Sequence, residues 1–187
     1  MPGRFARTPR CASLHAIVTR TLHTIGHSTR PADIFIGLLR THEITTLADV
    51  RSVPRSRHNP QFDRDALAVS LAAAGIGYVH LPALGGMRRP RPDSVNLGLR
   101  SAGFRGYADH MQTGEFQRGL ERLEALAGAG ATAIMCAEAE PSRCHRGLLA
   151  DALLVRGWRV VHILGSGAVE HTPSPAMRTV DDRPVYP

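Results

Sequence analysis

The sequence predicts an α/β fold, a three-layer Rossmann-like open sheet, mostly parallel, with helices on both faces. Two observations predict it. Short apolar runs alternate with segments of helical periodicity from Leu22 to Leu164. Polar clusters also recur at the carboxyl ends of the predicted strands, where ligands bind in open α/β sheets.

Leu22 to Ser28 reads as the first strand, and Pro31 opens a helix through Ile34, Leu38 and Leu39. Thr45 to Val50 reads as the second strand. Asp63 can cap a helix from Arg64 to Ala74, closed by Gly75. Gly77 to Leu81 reads as the third strand, followed by a long basic loop from Gly85 to Pro92. A short helix spans Phe104 to Met111, and a longer one Gly114 to Ala127, with Phe116, Leu120, Leu123 and Leu126 on its apolar face. Ala131 to Met135 is a short apolar run, as a fully buried strand requires. Pro141 and Ser142 then break the chain and cap a helix whose first turn would carry Cys144, His145 and Arg146. Trp158 to Leu164 is the fifth strand.

The 187 residues suffice for one domain with a real core. Residues 21–172 form the predicted domain. Residues 1–20 carry four arginines and no acid, lack the apolar stretch of a secretory signal, and are expected to be a disordered basic extension. The chain from Gly165 is rich in Gly, Ser and Pro, and residues 173–187 are expected to be an irregular tail. No apolar run is long enough to span a bilayer, so no membrane contact is expected. Three cysteines outside any repeated framework fit a reducing compartment, with the cytoplasm as the expected location.

The net charge of +7 is local. All 23 basic residues are arginine, and residues 51–105 carry nine of them against three acids. Such a region attracts nucleic acid or smaller anions, or is simply a solvated surface.

The polar clusters concentrate the chemistry. His27 and Ser28 end the first strand, Asp49 and Arg51 the second, Gly85 and Gly86 follow the third, and Cys136 and Glu138 end the fourth. These stretches can be read together: Thr24-Ile25-Gly26-His27-Ser28, Asp49 to Ser56, Leu84-Gly85-Gly86, Phe104 to Ala108, Cys136-Ala137-Glu138 with Pro141, Cys144-His145-Arg146 and His162-Ile163-Leu164. The ordered set resembles the family called domain of unknown function 488, over about residues 22 to 172. The resemblance implies an α/β fold and a polar site, and it supplies no reaction.

Cys144, in the first helical turn between Arg143 and Arg146, has the features of an activated thiolate nucleophile. Cys136, Glu138, Asp49 and His145 complete the candidate catalytic set, with the carboxylates and the imidazole moving protons. Arg51 and Arg146 are the candidate anion clamps, aided by His27, Ser28, Gly85 and Gly86. The competing reading is an inert buried thiol, with Arg146 in an ion pair to Asp49 or Glu138. A phosphatase-type loop fits poorly, because six residues separate Cys136 from Arg143 and two of them are glutamates.

Cys136, Glu138, Cys144, His145 and His27 are also potential metal ligands. However, Cys136 and Cys144 lie outside the usual structural zinc spacing. Consecutive residues on a helix point about 100° apart, so Cys144 and His145 are not expected to share an ion. No metal ligand is assigned and no cofactor is required, although a bound metal is compatible with these residue types.

The expected function is an enzyme acting on a small anionic or nucleotide-like ligand. The alternatives are a non-catalytic nucleic-acid-binding module and a metal-binding protein. The module would use Arg55, Arg57, Arg88, Arg89 and Arg91, with Phe104 and Tyr107 as stacking surfaces.

Overall fold

The computed structural model describes residues 20–165 and 167–187. The predicted basic extension therefore lies outside the described residues, apart from Arg20, whose carbonyl accepts a hydrogen bond from the Arg159 amide at 2.9 Å.

Five parallel strands build the sheet: β1 (Thr21–Gly26), β2 (Thr46–Asp49), β3 (Gly77–His80), β4 (Thr132–Cys136) and β5 (Arg159–Leu164). A sixth, β6 (Gly167–Glu170), adds antiparallel to β5, and the order across the sheet is β3-β2-β4-β1-β5-β6. The fold is therefore α/β and Rossmann-like, an open and mostly parallel sheet. Gly26 pairs with Cys136, and Asp49 pairs with both Met135 and His80, so the strand ends stand nearly level.

Side-chain alternation along the strands feeds two cores, one on each face. In β4, Ala133 and Met135 enter the core shared with Phe35 and Leu39 of α1 (Ala32–Thr41) and Leu67 and Leu71 of α2 (Arg64–Ala73). Ile134 and Cys136 point the other way. There they meet α3 (Ala102–Met111), α4 (Gly114–Ala129) and α5 (Arg146–Val155) through Tyr107, Leu120, Leu148 and Leu149. Burial of each such large apolar side chain contributes about 1.5–3 kcal/mol. No helix among the described residues is long and apolar enough to cross a membrane.

Helix and strand ends follow the expected punctuation with small shifts. Gly75 closes α2 with φ 76°, and Thr113 caps α4 by accepting the Phe116 amide at 3.3 Å. Asp63 stands at the N-cap of α2, but its carboxylate accepts the Ser56 amide at 2.7 Å instead of capping the helix.

Two differences are larger. The C-terminal stretch contains β6 and a hairpin of β7 (Arg178–Val180) and β8 (Arg183–Val185), where Gly, Ser and Pro content predicts irregular chain. Asp181 and Asp182 both adopt positive φ in the two-residue turn, which acidic residues tolerate better than most. Tyr186 beyond it is fully buried. The second difference is the start of α5, at Arg146 instead of the predicted first turn around Cys144.

Candidate active site

The level strand ends bring His27, Arg51 and Cys136 to one edge of the sheet, and the loop from Ala137 to His145 closes over them. That loop crosses β1 where no side chain blocks it: a Cβ on Gly26 would stand 1.8 Å from the Glu138 carbonyl oxygen. Arg146 holds the loop from inside. Its guanidinium donates to the carbonyls of Glu138 (2.5 Å) and Ala139 (3.2 Å) and to Thr24 Oγ1 (3.3 Å). Arg146 is fully buried, and its Nε has no hydrogen-bond partner among the described residues.

A 3₁₀ turn (Pro141–Arg143) follows the loop, and Cys144 is extended, with φ −133° and ψ 149°. His145 is the N-cap of α5 at φ −57°. This break in conformation turns two consecutive side chains to the same place. The expectation that Cys144 and His145 diverge by about 100° is therefore corrected, because neither lies within a helix. His145 Nδ1 is 3.7 Å from Cys144 Sγ and 3.8 Å from Cys136 Sγ, and all three atoms lie within 4.8 Å of one another. Both cysteines are free thiols. His145 Nε2 donates to the Val50 carbonyl at 3.2 Å, which leaves the Nδ1 lone pair facing the sulfurs in the neutral ring. Gly86 makes room for the ring: a Cβ there would lie 2.8 Å from Nδ1.

The sulfurs share charge unequally. Hydrogen bonding from Cys136 holds the Cys144 thiol well below its ordinary value against the opposing effect of burial, with His145 and the charge of Arg146 adding to it. Contact with Cys144 and then burial push Cys136 up. The two thiols are pushed in opposite directions, Cys144 down and Cys136 up.

Arg51 lies two residues beyond the last residue of β2, yet it meets Asp49 directly, and their charges are spent on each other. Arg51 Nη2 lies 2.6 Å from Asp49 Oδ2, and Nε bonds the same carboxylate. Tyr78 donates to Asp49 at 2.7 Å, and Arg51 also donates to the Phe62 carbonyl at 2.8 Å. Asp49 is wholly buried. The remaining Arg51 nitrogen, Nη1, reaches His27 Nε2 at 3.4 Å, while His27 Nδ1 donates to the Ser28 carbonyl and its ring stacks on Phe62 at 4.3 Å. Burial lowers the pKa of His27, which favours the neutral ring.

A cavity of about 430 Å³ opens over this edge. Of the residues singled out from sequence, Cys136, Cys144, His145, Glu138, Arg51, His27 and Gly86 all line it. Asp49, Arg146, Ser28 and Gly85 do not. Asp49 and Arg146 brace the wall from behind, the Ser28 amide continues the strand pairing by donating to Ala137, and Gly85 packs against Ser52. Arg55 and Arg143 line the solvent side, both exposed and without an ion pair among the described residues. Phe104 and Tyr107 form an aromatic wall, with the Tyr107 hydroxyl donating to the Leu84 carbonyl at 3.0 Å. In the basic loop, Arg91 pairs with Asp93 at 2.8 Å and Arg88 lies 3.6 Å from Glu115.

Sequence reading missed a second cavity of about 550 Å³, which shares Cys144 and Phe104 with the first. Beside it runs a chain of hydrogen bonds: Asp151 to His171 (2.8 Å), His171 to His162 (2.9 Å), His162 to Thr24 (2.7 Å), and Thr24 to Arg146. A histidine inside the apolar run of β5 was the one available signal.

Fold and site together define an α/β protein with a buried cysteine–histidine centre facing an arginine-flanked cavity at the carboxyl edge of its sheet. The chain belongs to the family described as Domain of unknown function DUF488, which it matches over residues 31–153. The match takes in every residue named above as lining the first cavity except His27, and it is narrower than the span of the resembling motifs. No curated protein and no solved structure matches the chain.

Proposed function

We propose that this protein is an enzyme acting on a small anionic or nucleotide-like substrate, with Cys144 as its nucleophile. One observation carries the reading: Cys144 Sγ faces an imidazole nitrogen 3.7 Å away on the buried wall of a cavity flanked by Arg55 and Arg143, which have no ion pair among the described residues. The thiol proton passes to His145 Nδ1, the imidazole nitrogen that faces the sulfur. The sulfur electron pair bonds the electrophilic atom of the substrate, the bond to the leaving group breaks, and the proton goes to that group. An acceptor then takes the group from sulfur and leaves its own proton behind. Arg55 and Arg143 hold the anion, with Arg51 Nη1 beside them, and Phe104 offers a face to a planar ring. Glu138, exposed and without a hydrogen bond to its carboxylate among the described residues, moves protons at the solvent side. Asp49 and Arg146 are positioning residues. Two free thiols at the centre fit a reducing compartment, the cytoplasm.

Iodoacetamide alkylation of Cys144, followed by peptide mass spectrometry on reduced, metal-stripped protein, tests the reading. Rapid alkylation below the free-thiol midpoint of about 8.5 is expected, with protection by millimolar phosphate or adenosine monophosphate. Arg143→Met should weaken that protection. An inert Cys144 in folded protein would sink the nucleophile.

A further inference from the structure

We propose that Cys136, Cys144 and His145 form a three-ligand site for one thiophilic divalent cation of the zinc class, with its fourth position open to the cavity. The spacing of the donors carries this inference. In a tetrahedral zinc site, with bonds of about 2.3 Å to sulfur and about 2.0–2.1 Å to nitrogen, sulfur and nitrogen corners stand about 3.5 Å apart. Here the two such edges are 3.7 and 3.8 Å, and the three atoms lie within 4.8 Å of one another. A cation can enter after small side-chain adjustments.

Three further features fit. The ring nitrogen facing the sulfurs is the one without a proton in the neutral ring, because Nε2 donates to the Val50 carbonyl. A backbone carbonyl behind a ligating imidazole is the usual way its orientation is fixed. Two sulfurs and one imidazole nitrogen are a soft donor set, suited to zinc and unsuited to magnesium or calcium. The centre lines the cavity, so a fourth ligand has a route in. Glu138, an expected ligand by residue type, is not in the cluster.

Loading releases the protons carried by the sulfurs and commits both sulfur lone pairs to the metal. It therefore withdraws Cys144 from alkylation and gives the cavity a second state. The identity of the fourth ligand, an anionic oxygen held by the arginines, rests on the proposed anion site. The metal site itself rests on the three side chains alone.

The test uses the full chain, purified without an affinity tag, stripped under reducing conditions and titrated with Co²⁺. Expected are one equivalent bound, a thiolate-to-cobalt charge-transfer band, intense visible bands of four-coordinate cobalt, and displacement by Zn²⁺. Cys144 alkylation should fall at least tenfold in step. His145→Gln should weaken binding at least tenfold. X-ray absorption of the zinc-loaded wild type should show two sulfur scatterers, and this measurement does not depend on any variant folding. Absence of the charge-transfer band with a reactive Cys144 overturns the metal site and leaves the nucleophile standing. A band that survives Cys136→Ser and Cys144→Ser places the metal elsewhere and overturns the site. A protein showing neither band nor reactive thiol overturns both readings.

Discussion

Gly26 and Glu138, over a hundred residues apart in sequence, touch backbone to backbone: a methyl group on the glycine would stand 1.8 Å from the glutamate carbonyl oxygen. The same carbonyl accepts from Arg146, so it is pinned from one side by a missing side chain and from the other by a guanidinium. Gly26→Ala should cost about 3 kcal/mol of stability, since backbone must shift to admit the methyl. Urea unfolding of the variant measures this, and an unchanged midpoint would show that the loop is free to move.

Arg146 is a buried cation satisfied chiefly by carbonyls, so its removal leaves acceptors without donors. Arg146→Met should destabilise the protein by about 2–4 kcal/mol. It should also raise amide exchange along residues 137–145 more than in β4. Uniform exchange across the molecule would reduce Arg146 to a general contribution to stability.

Gly86 sits against the His145 ring, where an added Cβ would meet Nδ1 at 2.8 Å. A ring can swing where backbone cannot. Gly86→Ala should therefore leave the unfolding midpoint within about 1 kcal/mol while slowing Cys144 alkylation by roughly tenfold. An unaltered alkylation rate would remove His145 from the activation of the thiol.

Burial holds His162 near 4, aided by the charges of His171 and Arg146. Burial also lowers His23, His27 and His110. In the unfolded chain each takes up a proton near 6.5. Between about pH 4 and 6.5 the unfolded state therefore binds more protons, and stability rises with pH. Acidification should begin to cost stability near pH 6.5, with His162 alone contributing on the order of 3 kcal/mol by pH 4. Unfolding midpoints across that window check the slope, and His162→Asn should flatten it. A midpoint that climbs on acidification would contradict the account.

Much of the fold was legible because apolar periodicity and turn residues act locally. β4 announced itself as a short, largely apolar run, and Gly75 marked the end of α2. β6 and the C-terminal hairpin were hidden because short exposed strands carry little apolar signal, and their turn relies on two aspartates in place of glycine. At the site, the strand-end rule found Cys136, Arg51 and His27. It could not tell Arg51, which reaches the cavity, from Asp49, which Arg51 and Tyr78 surround. Nor could spacing show that Cys144 and His145 converge, since that depends on one extended residue ahead of α5.

The sheet order has a consequence for how the molecule is made. β1 is among the first described segments to be synthesised, yet its neighbours among the described strands are β4 and β5: His23 pairs with Ala133 and Val161. At a ribosomal pace of about 5–20 residues per second, β1 waits on the order of ten seconds for a partner. Two bare strand edges, carrying Leu22 and Ile25, are on offer throughout that interval. The nascent chain is therefore at its most vulnerable before the segment bearing both site cysteines has been translated, and that segment brings with it the first strand able to cover β1.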